Sequence, residues 1–194
     1  EAYQQALRIK PEDADAWSNL GVAYRKVGQA AKAIEAYQQA LRIKPEHADA
    51  WNNQGNAYAK AGLSAKAIES YRRALRINPE DADAWYNLGI AYANAGQAAK
   101  AIEAYQQALR IKPEDADAWN NLGVAYAKAG LSAKAIESYR RALRINPEDA
   151  DAWYNLGNAY ASSGQRGKVL EVYKRLKTLD PAGAEEFFNA FVMP

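Results

Sequence analysis

His47 is the only imidazole in 194 residues, and no cysteine accompanies it. A nucleophilic device of the Ser-His-Asp or Cys-His kind needs a hydroxyl or thiol held in a strained turn beside such a base. No G-x-S-x-G stretch is present, and His47 falls in "KPEHADA", which reads as a solvated turn. Zinc finds no plausible ligand set. Neither a G-x-G-x-x-G fingerprint nor a Walker phosphate loop occurs. Carboxylates are plentiful but recur at a fixed interval, which marks capping and surface roles, whereas a catalytic pair should be unique. The sequence therefore offers no catalytic residue, no metal site and no cofactor site, and reads as non-enzymatic.

With catalysis set aside, the groups left for recognition are amides and tyrosines, and what they could meet is bounded by charge. The formal net charge is only +2, which nominates neither nucleic acid nor an anionic membrane as partner. Basic spots at Arg72, Arg73 and Arg76, and at Arg140, Arg141 and Arg144, lack interleaved exposed aromatics and have Glu69 and Glu137 close by. No apolar run approaches the roughly 20 residues that span a bilayer, so membrane insertion is not expected. The chain opens on Glu1 without a signal-peptide pattern and reads as a processed or excised piece, with its compartment left open.

The elements that position these groups follow from a repeat. Trp17, Trp51, Trp85, Trp119 and Trp153 are spaced by 34 residues. In register with them run Gly21 and Tyr24, Gly28, Ala33 and Tyr37, and Pro45, with their equivalents. A fixed period in this range signals a solenoid of supersecondary units. Counting Ala14 as position 1, positions 4, 7 and 11 are apolar and fall on one stripe at about 100° per residue, an amphipathic helix A. Glycine at position 8 removes a side chain where a neighbouring helix must come close, and glycine at position 15 ends the helix. The second half, as in "AAKAIEAYQQALRI", is an amphipathic helix B, stopped by the proline at position 32. The acidic residues after that proline suit the start of the next helix A.

This arrangement resembles the tetratricopeptide repeat. The resemblance implies an all-α fold, a right-handed α-solenoid of antiparallel helix pairs, running as one array through residues 1–194. It divides into an orphan helix B at 1–13, full repeats at 14–47, 48–81, 82–115 and 116–149, a degenerate fifth repeat at 150–183, and a C-terminal capping helix at 184–194. Val169 and Leu176 replace small alanines in the fifth repeat. The closing "AGAEEFFNAFVMP" holds all three phenylalanines; Phe187, Phe188, Phe191 and Val192 form one stripe, with Phe187 where the next tryptophan would stand. A docking peptide for another protein is the competing reading of that segment.

In such arrays helix A lines the concave side, so positions opposite the core stripe become candidates for binding. Position 6 is asparagine throughout: Asn19, Asn53, Asn87, Asn121 and Asn155. An amide both donates and accepts, which suits the backbone of an extended peptide. The pattern resembles the asparagine ladder of superhelical repeat domains in O-linked N-acetylglucosamine transferases. Position 5 adds Asn52, Asn120, Tyr86 and Tyr154, the tyrosines being candidate anchors. Position 9 adds Asn56 and Asn158. A carboxylate clamp of the kind that binds chaperone tails is not matched, since position 2 is aspartate throughout and position 5 carries no lysine.

The expected function is thus a scaffold that binds an extended peptide, or a helix of another protein, in its concave groove. Two other readings stand beside it. One is a structural array, designed or oligomerising through the uncapped first helix, with no evolved ligand. The other is a repeat segment of a larger enzyme such as a glycosyltransferase. Residues 28–89 and 96–157 match except at His47, Gln54 and Asn56, whose counterparts are Asp115, Leu122 and Val124. "AWNNQGNAYAKAG" therefore places two amides where its copy has two aliphatic groups. Asn56 is expected on the groove side; Gln54, at the edge of the core stripe, is expected to tip outward or find a partner between repeats.

Overall fold

The computed structural model describes residues 2–193, all of whose regular structure is helical. Two compact units divide the chain, residues 1–97 and 98–194. The first holds α1 (Ala2–Ile9), α2 (Ala14–Lys26), α3 (Ala30–Ile43), α4 (Ala48–Lys60), α5 (Ser64–Ile77) and α6 (Ala82–Asn94). The second holds α7 (Ala98–Ile111), α8 (Ala116–Lys128), α9 (Ser132–Ile145), α10 (Ala150–Ser162), α11 (Arg166–Leu179) and α12 (Pro181–Phe191). Helices α2, α4, α6, α8 and α10 are the A helices of the repeat, and α1, α3, α5, α7, α9 and α11 the B helices.

Within the first unit α2 packs on α3 and α4 on α5, each B helix packs on the A helix that follows, and successive A helices touch. The second unit repeats this scheme from α7 to α11, and α12 packs against both α10 and α11. Three local devices make the pattern. Asp13, Asp81, Asp115 and Asp149 accept the backbone N–H three residues on, at 2.9–3.0 Å, capping α2, α6, α8 and α10. The indole Nε1 of Trp17, Trp51, Trp85, Trp119 and Trp153 donates to the carbonyl of the proline six residues earlier, at 2.8–2.9 Å. This bond ties each turn to the helix it introduces. Finally, the glycines ending the A helices adopt φ of +69° to +77°, a left-handed conformation that lets the next residue's N–H reach back to the tyrosine carbonyl.

The core is built on close approach. A Cβ placed on Gly21, Gly55 or Gly123 would lie 2.5–2.6 Å from Cε1 of Tyr37, Tyr71 or Tyr139. The tyrosine ring of helix B thus lies directly on the backbone of helix A, and Ala33, Ala67 and Ala135 are fully buried alongside. In the fifth repeat the helix B stripe turns: Val169, Val172 and Leu176 are buried, and Phe187 of α12 with Val172 occupies the space above Gly157. Tyr173 is displaced to half-buried and packs its ring against Phe188 at 4.9 Å.

His47 departs from the solvated turn residue expected. Its side chain is only 13% exposed, and its Nε2 lies 3.1 Å from Asp15 Oδ1 on α2, although no acceptor lies along the ring N–H direction. The reason is position: the N-cap residue faces the preceding A helix, and an imidazole is long enough to reach the aspartate that a capping carboxylate does not. In exchange α4 has no side-chain N-cap bond.

If the tyrosine-on-glycine contact fixes the spacing of each helix pair, Gly55→Ala should destabilise the fold by about 1–3 kcal/mol, because the Tyr71 ring must leave its rotamer. Urea denaturation followed by circular dichroism measures this; a loss no larger than that of an exposed alanine substitution would show that the contact is slack.

Candidate functional site

The A-helix face opposite the core stripe carries the amides, and they are not equivalent. Asn87 Nδ2 donates to Asn52 Oδ1 of the preceding A helix at 3.4 Å, and Asn155 Nδ2 to Asn120 Oδ1 at 3.1 Å. These side chains spend hydrogen bonds on stacking neighbouring A helices. Asn121 is half-buried. Asn19, which is exposed, and Asn53, which is half-buried, have no hydrogen-bond partner among the described residues. The exposed Asn158 accepts from Ser162 at 3.5 Å. Among the position 5 residues Ser18 is buried and Tyr86 half-buried.

Tyr154 is not free as an anchor for a ligand. Its ring packs edge-on against Phe187 at 5.5 Å and Phe191 at 6.0 Å. Helix α12 lies where a further A helix would lie, and position 5 of the last repeat faces it. Among the described residues no group of His, Asp and Glu could hold a metal ion, and no helix is long and apolar enough to cross a membrane.

The two amides of α4 point to α5. Ser70 Oγ donates to Gln54 Oε1 at 3.1 Å, and Tyr71 Oη donates to Asn56 Oδ1 at 2.8 Å. Gln54 is buried, contrary to an outward tilt, and its partner belongs to its own repeat, not to a neighbour. In the copied repeat Leu122 fills the site and Ser138 Oγ turns back to Lys134 O at 2.9 Å. In the first repeat Val22 stands where Asn56 does, and the buried Tyr37 hydroxyl has the Arg25 guanidinium beside it instead of an amide. Asn56 is therefore held inward by a helix B hydroxyl, an arrangement its sequence position alone does not reveal. Burial raises the Tyr139 hydroxyl from 10.0 to about 12 and pushes Tyr71 up further.

A second kind of concavity recurs on the other side of the A helices, between successive B helices. One slot lies between α1 and α3 over α2, with a volume of about 520 Å³; another lies between α3 and α5 over α4, at about 430 Å³. In the second unit the equivalent slot lies between α7 and α9 over α8, also about 430 Å³. Each is floored by the tryptophan, the position 7 residue and the tyrosine of helix A. Cations screen these rings: Lys32, Lys66 and Lys134 sit 5.5–5.6 Å from the centroids of Tyr24, Tyr58 and Tyr126. Arg73 and Arg141 lie over Trp51 and Trp119. Arg73, Arg140 and Arg141 of the basic spots noted in the sequence thus cover aromatic rings of the repeat. Helical periodicity does not reveal these slots; their signal in the sequence is the Lys and Arg spacing relative to the tyrosine and tryptophan of the same unit.

Residues 1–185 match the family described as the cilia and flagella-associated protein 70 C-terminal domain, whose members are built of tetratricopeptide repeats. The chain belongs to this tetratricopeptide-repeat family. No curated protein matches it. Among solved structures the repeats are similar to YrrB, described as a TPR protein with an unusual peptide-binding site, with a TM-score of 0.83 and 27% identity over 94% of each chain. MamA is similar at 30% identity with a TM-score of 0.81, covering 85% of this chain and 96% of that one. MamA from Desulfovibrio magneticus RS-1 shares the fold at 21% identity and a TM-score of 0.82, over 87% and 96% of the two chains. The tetratricopeptide solenoid and the scaffold class it represents are thus shown by sequence family and by fold alike.

The tetratricopeptide copies calibrate one substitution. Gln54→Leu forgoes the Ser70 bond, about 1 kcal/mol, gains a buried leucine worth about 1.5–3 kcal/mol, and frees Ser70 to bond the carbonyl four residues back as Ser138 does. The expected net is a gain of about 1 kcal/mol, read as a higher melting temperature; an unchanged or lower one would refute it. The tyrosines set a pH limit. Their folded-state pKa lies above the unfolded value, so the stability they contribute is complete below about pH 10 and is lost as pH rises through about 12. Denaturation midpoints should fall across that window, and less steeply in Tyr139→Phe.

Proposed function

We propose that this chain is a non-enzymatic scaffold that binds an extended peptide on the face made by its A helices. The observation that carries the proposal is the pair Asn19 and Asn53, at the same position of the touching helices α2 and α4, with no internal hydrogen-bond partner among the described residues. Each amide can donate to a peptide carbonyl and accept from a peptide N–H, which reads backbone and tolerates many side chains. The likeness to YrrB, described as having a peptide-binding site, supports this reading. Relative to the sequence expectation the binding region contracts to the first unit. There Asn19 and Asn53 pair with the ligand, and Tyr86 supplies an aromatic edge. In the second unit Asn155 bonds Asn120, and Tyr154 is covered by α12.

The test is a peptide array screened with the purified chain, followed by titration of the best binders by calorimetry. Asn19→Ala combined with Asn53→Ala should weaken binding about tenfold or more while leaving the circular dichroism spectrum unchanged. Binders that retain full affinity for the double variant would place the ligand elsewhere, and an array with no binder would remove the reading altogether.

A further inference from the structure

Arg25 breaks the repeat. Position 12 of the A helix is alanine in every later copy, at Ala59, Ala93, Ala127 and Ala161, whereas α2 carries an arginine there. The side chain is half-buried, and its Nε is buried without a hydrogen-bond partner. It lies beside the Tyr37 hydroxyl, at the end of the ring that rests on Gly21. Burial pushes that hydroxyl up and the guanidinium draws it part of the way back; the same cation is felt at Tyr71 on α5, whose hydroxyl meets Asn56. The guanidinium therefore stands where α2 faces α4. No carboxylate pairs with it among the described residues, and its terminal nitrogens are not among the buried atoms lacking a partner, so they open to solvent. A cation suits the C-terminal end of a helix, but Lys26 supplies one there in water, without the cost of a buried Nε.

The surrounding charges are sorted along the helices. Lys26 and Lys60, at position 13 of α2 and α4, are exposed and extend the positive end. The aspartates at position 2, Asp15 and Asp49, lie ten residues from position 12, about 15 Å along the axis. The third repeat has Ala93 and Asn94 in these places, so the cationic end belongs to the two helices that carry Asn19 and Asn53. We infer that the A-helix face of the first unit selects an acidic peptide, an extended segment held along its backbone by Asn19 and Asn53 that places one glutamate or aspartate side chain on the terminal nitrogens of Arg25. The inference rests on the peptide-binding reading above and gives it a specificity. Arg25 lies six residues beyond Asn19, about 9 Å along the helix, a gap that an acidic side chain and the arginine cover together. A planar guanidinium holds a carboxylate through charge-assisted hydrogen bonds, and partial burial shields that contact from salt. A neutral side chain leaves the same donors to water, and a basic one is repelled.

The probe is a degenerate peptide library with both ends blocked, passed over the immobilised chain, the retained peptides being sequenced. Glutamate or aspartate should be enriched at one position. A retained peptide should bind about tenfold more tightly than its twin with glutamine at that position, the worth of one charge-assisted hydrogen bond. Only the acidic twin should move the Arg25 Nε–H resonance of the 15N-labelled chain. Arg25→Ala installs the residue that every later repeat carries, so the fold is kept; there the preference should collapse to parity while the glutamine twin binds as before. Asn19→Ala with Asn53→Ala should weaken both twins alike and preserve the preference. A library retained without acidic enrichment, or a preference that survives Arg25→Ala, overturns this inference and leaves peptide binding standing. A library not retained at all removes both. A preference that appears only in peptides with a free C-terminal carboxylate assigns Arg25 to a chain end and overturns the choice of an internal side chain.

Discussion

A tyrosine ring laid on a bare stretch of helix backbone sets the dimensions of this protein. Because Gly21, Gly55 and Gly123 carry no Cβ, the rings of Tyr37, Tyr71 and Tyr139 can rest on the A helix, and the helix pair closes to a distance that any side chain would forbid. The small alanines of helix B follow from that spacing. So does the reach of the tyrosine hydroxyl past the glycine to position 9, where Asn56 meets it and Val22 does not. The last repeat obeys the same constraint by other means: Phe187 enters from α12 to cover Gly157.

Much of this was legible in the sequence because the period is a physical signal. Tryptophan, glycine, tyrosine and proline recur at 34 residues since each has one local task, and the helix bounds follow from the aspartate caps and the left-handed glycines. What was not legible depended on partners far apart in sequence. Helical arithmetic placed Gln54 at the edge of the core but could not show that Ser70 would hold it inside. It placed Tyr154 on the A-helix face but could not show that α12 would lie across it. An asparagine at position 6 reads the same whether it faces a ligand or bonds the next helix, and only the geometry separates Asn19 and Asn53 from Asn87 and Asn155.

The differences between the copied blocks now have local content. Each replaces an apolar or capping group by one that makes a longer-range polar contact: Gln54 with Ser70, Asn56 with Tyr71, His47 beside Asp15. One helix therefore trades the interchangeable packing of its copy for specific bonds. A slot whose floor is polar and an A-helix face with unspent amides both involve that helix.

The missing cap on α4 has a consequence for how the first unit opens. In stacked repeats, stability is close to a sum of repeat and nearest-neighbour contributions. Among the A helices, α4 is the one whose first turn lacks a carboxylate cap, its Ala50 amide having no side chain to accept it. Amide protons in the first turn of α4 should exchange with solvent ahead of those in the first turn of α6, so local opening separates two A helices that are otherwise built alike.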